Sequence, residues 1–248
     1  MTAPVAGART ARGRAGASML VAVPLTFLAL VYVWPVGAIV ARGLGSGTGL
    51  ARVLGASVTW RLVGFTLGQA ILSTLATLAV ALPIAALTGR FRFAGRRFVE
   101  AALMVPFVLP TIVVGAAFTA LLVGMGRDPQ GGLPAIVAAH TFFNLAVVVR
   151  TVGGRWANLD PAVEEAARTL GAGPVRTFVS VTLPRLAASI GSASVIVLLF
   201  SATSFGVVLL LGGPARATLE VEIHRATTQT LDLPAAAGLA LLQLVAVV

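Results

Sequence analysis

Two polar side chains in the middle of an otherwise apolar run are the first residues that could do chemistry. His140 and Asn144 are four apart, so on a helix they share one face. An imidazole and a carboxamide at that depth can meet a polar solute on its way through, or hydrogen-bond a neighbouring helix and hold it in place. Both readings stand. Ser194, Ser201 and Ser204 fall within about 80° of arc at 100° per residue, a polar stripe that can line a route or let helices pack closely. Gly191-Ser-Ala-Ser194 offers two serines in a nucleophile-like setting, but His224 falls in a loop and no acid shares their run, so no catalytic set forms. With no Cys and two His, disulfides, thiolate metal sites and cysteine nucleophiles are excluded. No Lys occurs, so the phosphate-binding GxxxxGK[ST] loop is absent and ATP hydrolysis by that route belongs to some other chain. No cofactor is expected.

The elements that must position these residues are membrane spans. At 58% apolar and 10% charged, the 248 residues bury more apolar surface than their polar residues can cover, so a bilayer supplies the solvent. Residues 1–17 carry Arg9, Arg12 and Arg14 among Ala, Gly and Thr and read as a disordered arm. The segment 18–41 contains 23 uncharged residues from Met19, enough to cross ~30 Å of hydrocarbon, and is a first span rather than a cleaved signal because further spans follow. A Gly-rich connector is expected over 42–61. A transmembrane domain is expected over 62–248, with spans at about 62–87, 98–123, 133–149, 186–211 and 233–248. Pro83, Pro106 and Pro110 are hinges or fixed kinks within them. The fold class is therefore all-α, a bundle of about six transmembrane helices. The last run of sixteen residues rises about 24 Å, short of the hydrocarbon core, which predicts a chain that ends early or pairs with a second one.

Arginine sets the orientation. The arm, the 90–97 loop and the 150–185 loop hold twelve of the eighteen, and the alternate loops hold six. Under the positive-inside rule the N-terminus and the 150–185 loop face the cytoplasm of a multi-pass protein of the inner (plasma) membrane. The net +10 is thus a membrane signal and implies no nucleic-acid partner. Glu100 sits beside Arg96 and Arg97 as an interfacial ion pair. Glu220 and Glu222 lie in the outer loop, as a docking face or simply a solvated one.

Between the fourth and fifth spans lies a polar stretch that reads as two short helices. Asp160 is placed to cap the first, Pro161 to begin it, and Glu164 and Glu165 to sit near its positive end. Gly171 can close that helix in the left-handed conformation, and Pro174 can open the next. Ala166 and Ala167 add almost no bulk, so another surface can approach closely.

Glu165-Ala166-Ala167, three residues, Gly171, nine residues, Val181, one residue, Leu183-Pro184 resembles the EAA loop of ABC importer permeases, with Val181 where Ile is usual. Residues 139–144, 203–214 and 218–225 resemble the N-terminal half of thiamine and ferric-iron permeases. The resemblance implies a type I importer fold and a coupling role for Glu164, Glu165, Ala166, Ala167, Gly171, Val181, Leu183 and Pro184 within the 155–185 loop. It also implies three partners: a cytoplasmic ABC ATPase dimer, an extracytoplasmic solute-binding protein, and a second permease half or chain, since one copy of the loop is present. Thiamine is the first solute implied and ferric iron the second. Two rivals stand against this reading. A secondary transporter driven by an ion gradient would place acidic groups near the bilayer midplane, and none of the eight Asp and Glu is expected there. A membrane-embedded hydrolase would need the His and acid that the serines lack.

Overall fold

The computed structural model describes residues 20–45, 48–213 and 216–247. The arm expected at 1–17 lies outside the described residues. A chain dissolved in hydrocarbon must pair its own backbone groups, and all elements among the described residues are helices. Helix α1 is Leu20–Ala41, with one π turn at Ala29–Val33. It is followed by α2, Thr48–Gly55, and α3, Ser57–Arg90. The expected connector over 42–61 is thus largely helical: Arg61 stays exposed on the first turns of α3, and Arg52 reaches Asp232 at 3.6 Å, so neither charge ends a helix. Pro83 sits inside α3 without breaking it.

The third span departs most from expectation. Instead of one kinked helix there are two, α4 (Arg96–Val108) and α5 (Thr111–Gly124), which meet at 102°. Pro110 has no amide to donate and forces Leu109 into an extended conformation (φ −73°, ψ 141°), so the helix must stop. Helix α6 is Gly132–Ala157 and carries Arg150 and Arg155, which the sequence reading left in a loop. After the hairpin helix α7 (Ala162–Thr169), helix α8 runs unbroken from Pro174 to Ala202 with a π turn at Phe178–Thr182. The fifth span therefore starts well before residue 186 and ends before 211. Its remainder is a separate short helix, α9 (Gly206–Leu211). The expected outer loop contains α10 (Leu219–Thr228), and α11 is Leu233–Val247. Among the described residues four helices are long and apolar enough to cross, five with the bent α4/α5 pair, and α11 is a shorter apolar helix. This is the expected all-α bundle, with four or five apolar spans beside the shorter α11.

Helix α6 is the axis. Its Val148, Val149, Val152 and Trp156 pack with Ala81 and Ala85 of α3 and Leu186, Ala193 and Val197 of α8. Its Ala135, Ile136 and Ala139 pack with Val114 of α5, Val207, Val208 and Leu211 of α9, and Val221 of α10. Four of the five buried threonines of α3 satisfy themselves: Thr66, Thr74, Thr77 and Thr88 each donate to the carbonyl four residues back, at 2.7–2.9 Å. Two backbone crossings depend on glycine. A Cβ on Gly206 would stand 2.5 Å from the Ile112 amide, which is how α9 lies across α5. A Cβ on Gly89 would stand 2.9 Å from both the Gly153 carbonyl and the Trp156 Cβ, where α3 meets α6.

That contact gives a measurable asymmetry along α3. Gly89→Ala should cost about 1–3 kcal/mol through forced separation of the helices. Gly68→Ala, on the same helix with nothing within 4 Å of the new methyl, should cost nothing. Thermal unfolding of the two variants in detergent reads the difference, and equal midpoints would show that the crossing is slack.

Candidate functional site

The hairpin is built by local signals. The Asp160 carboxylate accepts the Ala162 amide at 3.0 Å and starts α7, and Gly171 closes it at φ +82°, with the Ala172 amide returning to the Ala167 carbonyl at 3.0 Å. Pro174 then occupies the first turn of α8. The tip carries apolar side chains with nothing over them: Leu170 is 89% exposed and Val175 75%. Glu165, Ala166, Gly171, Leu183 and Pro184 are exposed, while Ala167 and Val181 are half-buried.

Glu164 behaves differently from its neighbour. It turns inward and is buried. One carboxylate oxygen pairs with the Arg90 guanidinium at the end of α3, and the other accepts the Thr182 hydroxyl at 2.7 Å from the π turn of α8. Burial alone would push this carboxyl up. The hydrogen bond from Thr182 and the Arg90 guanidinium, with the Arg168 charge adding to them, hold it below the ordinary glutamate value. Trp156 of α6 stacks on Phe178 at 6.1 Å, a second tie between hairpin and bundle.

The intramembrane candidates divide. Ser73 of α3 shares a hydrogen bond with His140 Nδ1 (3.1 Å), and Asn144 Nδ2 donates to Ser201 Oγ at 3.4 Å. Gln69 Nε2 donates to the Ser201 carbonyl at 2.7 Å. His140, Asn144 and Ser201 thus lie in one buried seam joining α3, α6 and α8, together with Gln69 and Ser73, which the sequence reading passed over. A lone amide or hydroxyl on a long span carries no pattern, and its partners are 67 and 132 residues away. Ser194 is outside the seam: half-buried, it donates to its own helix at Ile190. Ser204 is buried just past the end of α8. Ser192 likewise donates to Ala188 of its own helix, and His224 lies edge-on to Phe205, so the serines gain no base. Among the described residues no His, Asp or Glu cluster could hold a metal.

Beside the seam runs a cleft between α4 and the α6/α8 wall. Two adjoining cavities of about 320 and 230 Å³ share Met104, Ala146 and Arg150. Arg96 and Glu100, bonded to each other at 2.8 Å, lie at one end, which bears out the expected ion pair. Phe107, which reaches Phe143 at 5.6 Å and Phe200 at 6.1 Å, lies at the other. Glu220 and Glu222, read as a docking or solvated face, are both engaged: Glu220 with Gln243 of α11, and Glu222 with Arg225 at 3.6 Å.

The lowered Glu164 value fixes a pH dependence. The carboxylate's contribution is complete above about pH 4.3, the ordinary glutamate value, and is lost as pH falls through the lower folded value. Between about pH 6 and 3, the protection factors of the 162–182 amides, with the intrinsic pH dependence of exchange divided out, should fall in the wild type and stay flatter in Glu164→Gln, which has no proton to gain. Equal pH slopes in the two proteins would sink this account of the pair.

The family described as binding-protein-dependent transport system inner membrane component matches residues 81–248. The thiamine transport system permease protein ThiP of Brucella suis is 32% identical over 200 residues, a match covering 75% of this chain and 37% of that protein. The molybdate/tungstate transport system permease protein WtpB of Pyrococcus furiosus is 32% identical over 146 residues, covering 59% of this chain and 57% of its own. The fold is that of a bacterial ABC transporter involved in the import of the acidic polysaccharide alginate, with a TM-score of 0.74 at 17% identity over 95% of this chain and 92% of that one. A hairpin between long spans, broken membrane helices and the family match agree, and the chain belongs to the inner-membrane permease components of binding-protein-dependent ABC transport systems.

Proposed function

We propose that this chain is a permease subunit through which an ABC importer moves a small solute from an extracytoplasmic binding protein into the cytoplasm. The observation that carries the reading is the hairpin tip. Leu170 and Val175 stand exposed beside the small Ala166, on a rigid two-helix support, which suits insertion into an apolar groove of a separate ATPase. The arginine bias supports a cytoplasmic position for that tip, on the side where ATP is. The chain has no nucleotide-binding loop and is not itself the enzyme.

In this reading nucleotide binding draws two ATPase subunits together, and their motion is passed through the hairpin to α6 and α8, which switch access between the two sides. The solute route runs along the cleft lined by Met104, Arg150 and Phe107. That cleft is open along one side, which calls for a facing wall from a second permease half or chain. The buried His140–Asn144–Ser201 seam serves this route from behind, by holding its wall together. Thiamine is the leading solute, supported by the likeness to the thiamine permease. Ferric iron is second, on motif resemblance alone. The chain spans 37% of the thiamine relative's length, so the solute and the assembly belong to this proposal.

Leu170→Asp and Gly171→Val test the docking surface. The first puts a charge in the groove, and the second strains a left-handed position by about 1–2 kcal/mol. Co-purification of the ATPase should weaken about tenfold or more while membrane insertion is unchanged. If both variants retained the ATPase and solute uptake at wild-type levels, docking through this hairpin would be wrong.

A further inference from the structure

Three side-chain contacts fasten the hairpin to the bundle, and none uses the positions of the Glu165-to-Pro184 pattern. The Glu164 carboxylate takes Arg90 of α3 on one oxygen and Thr182 of α8 on the other, and Trp156 of α6 stacks on Phe178. The π turn at Phe178–Thr182 gives this geometry its register. One residue fewer would rotate Thr182 by about 100° away from Glu164, with the Leu186–Ala193–Val197 face of α8 held on the core. A few residues away, Gly89 and Gly153 bring α3 and α6 into backbone contact. On the other side of the cleft α4 has no hydrogen bond or ion pair to α3, α6 or α8 among the described residues: its polar pair, Arg96 and Glu100, is internal, and apolar packing ties it to the bundle, Phe107 against Phe143 and Phe200 and Leu103 against the core. It is reached through Gly95 at φ +87° and ends at the 102° break, and cavities of about 320 and 230 Å³ separate it from α6 and α8.

We propose that Glu164, held by Arg90 and Thr182, makes the hairpin one rigid body with α3, α6 and the start of α8, and that α4 is the wall this body moves against. Arg90 and Thr182 are positioning residues for coupling: they bind neither ATPase nor solute but decide where force entering at the tip is delivered. The inference rests on the coupling role proposed above and assigns it a route.

The test uses the full chain assembled with its ATPase in lipid nanodiscs. Because the chain lacks cysteine, Met104→Cys with Ala146→Cys places a clean pair across the cleft. Cross-linking yield with and without MgATP and vanadate reports cleft width. In Glu164→Gln, Arg90→Gln and Thr182→Val the nucleotide-dependent change should shrink about fivefold or more with ATPase co-purification intact. The double variant Glu164→Gln/Arg90→Gln should be no worse than either single one, since both break one contact. Arg92→Gln, an exposed neighbour, should respond as wild type. A full cross-linking response in the single variants, or additive losses in the double, overturns the clamp while leaving docking untouched. Loss of response only together with loss of ATPase binding makes these residues folding elements and overturns it too. Failure of the wild type to bind the ATPase removes instead the coupling reading beneath it.

Discussion

The close approach of α3 and α6 is the contact on which the rest depends. Lipid tails are as apolar as leucine, so helices in a bilayer are not driven together by burial of apolar area. Van der Waals contact and interhelical hydrogen bonds do that work, and both need backbones that can come near. Ala81, Ala85, Gly89 and Gly153 allow it. Once the two helices lie that close, Ser73 is in range of His140, and α8 can close over them so that Ser201 meets both Gln69 and Asn144. At the hairpin end the same proximity places Arg90 beside α7. A bulkier residue at Gly89 would strain the seam and the clamp together.

The chain stops being helical at Leu109–Pro110, where the side chains are exposed, and again at Thr203–Phe205, where Ser204 is buried. The helices that restart after the two breaks lie against each other: Gly206 of α9 sits over Ile112, and Gly115 over the Gly206 carbonyl. Glycine at both positions lets the two backbones approach that closely. The break at Pro110 also frees α4 from the direction of α5, and this leaves the cleft between α4 and α6.

What the sequence made legible was local. Asp160, Gly171 and Pro174 act on backbone within a few residues of themselves, so cap, left-handed closure and restart could be read off spacing, and the structure repeats them. Charge misled about where spans end: Arg90, Arg150 and Arg155 look like loop residues, yet a long guanidinium side chain can reach an interface or a cleft while its backbone stays helical. Glu164 and Glu165 are indistinguishable by spacing. They part company because Arg90, 74 residues earlier, meets only the first of them, and no pattern in the intervening spans announces that meeting. Gln69 and Ser73 were invisible for the same reason.

An ion pair with one member buried is a poor device for stability, because the cost of taking the Glu164 charge out of water offsets much of its attraction to the part-exposed Arg90. Its presence at the root of the hairpin therefore asks for a different explanation. An apolar contact between α7 and the bundle would hold the hairpin as firmly but would let it slide or roll, since dispersion has little preference for direction. A carboxylate fixed by a guanidinium on one oxygen and a hydroxyl on the other permits one orientation, and leaving any partner unpaired there is expensive. A lever needs that property more than it needs strength: the push must arrive at α6 and α8 without being lost in rotation of the hairpin about its own stem.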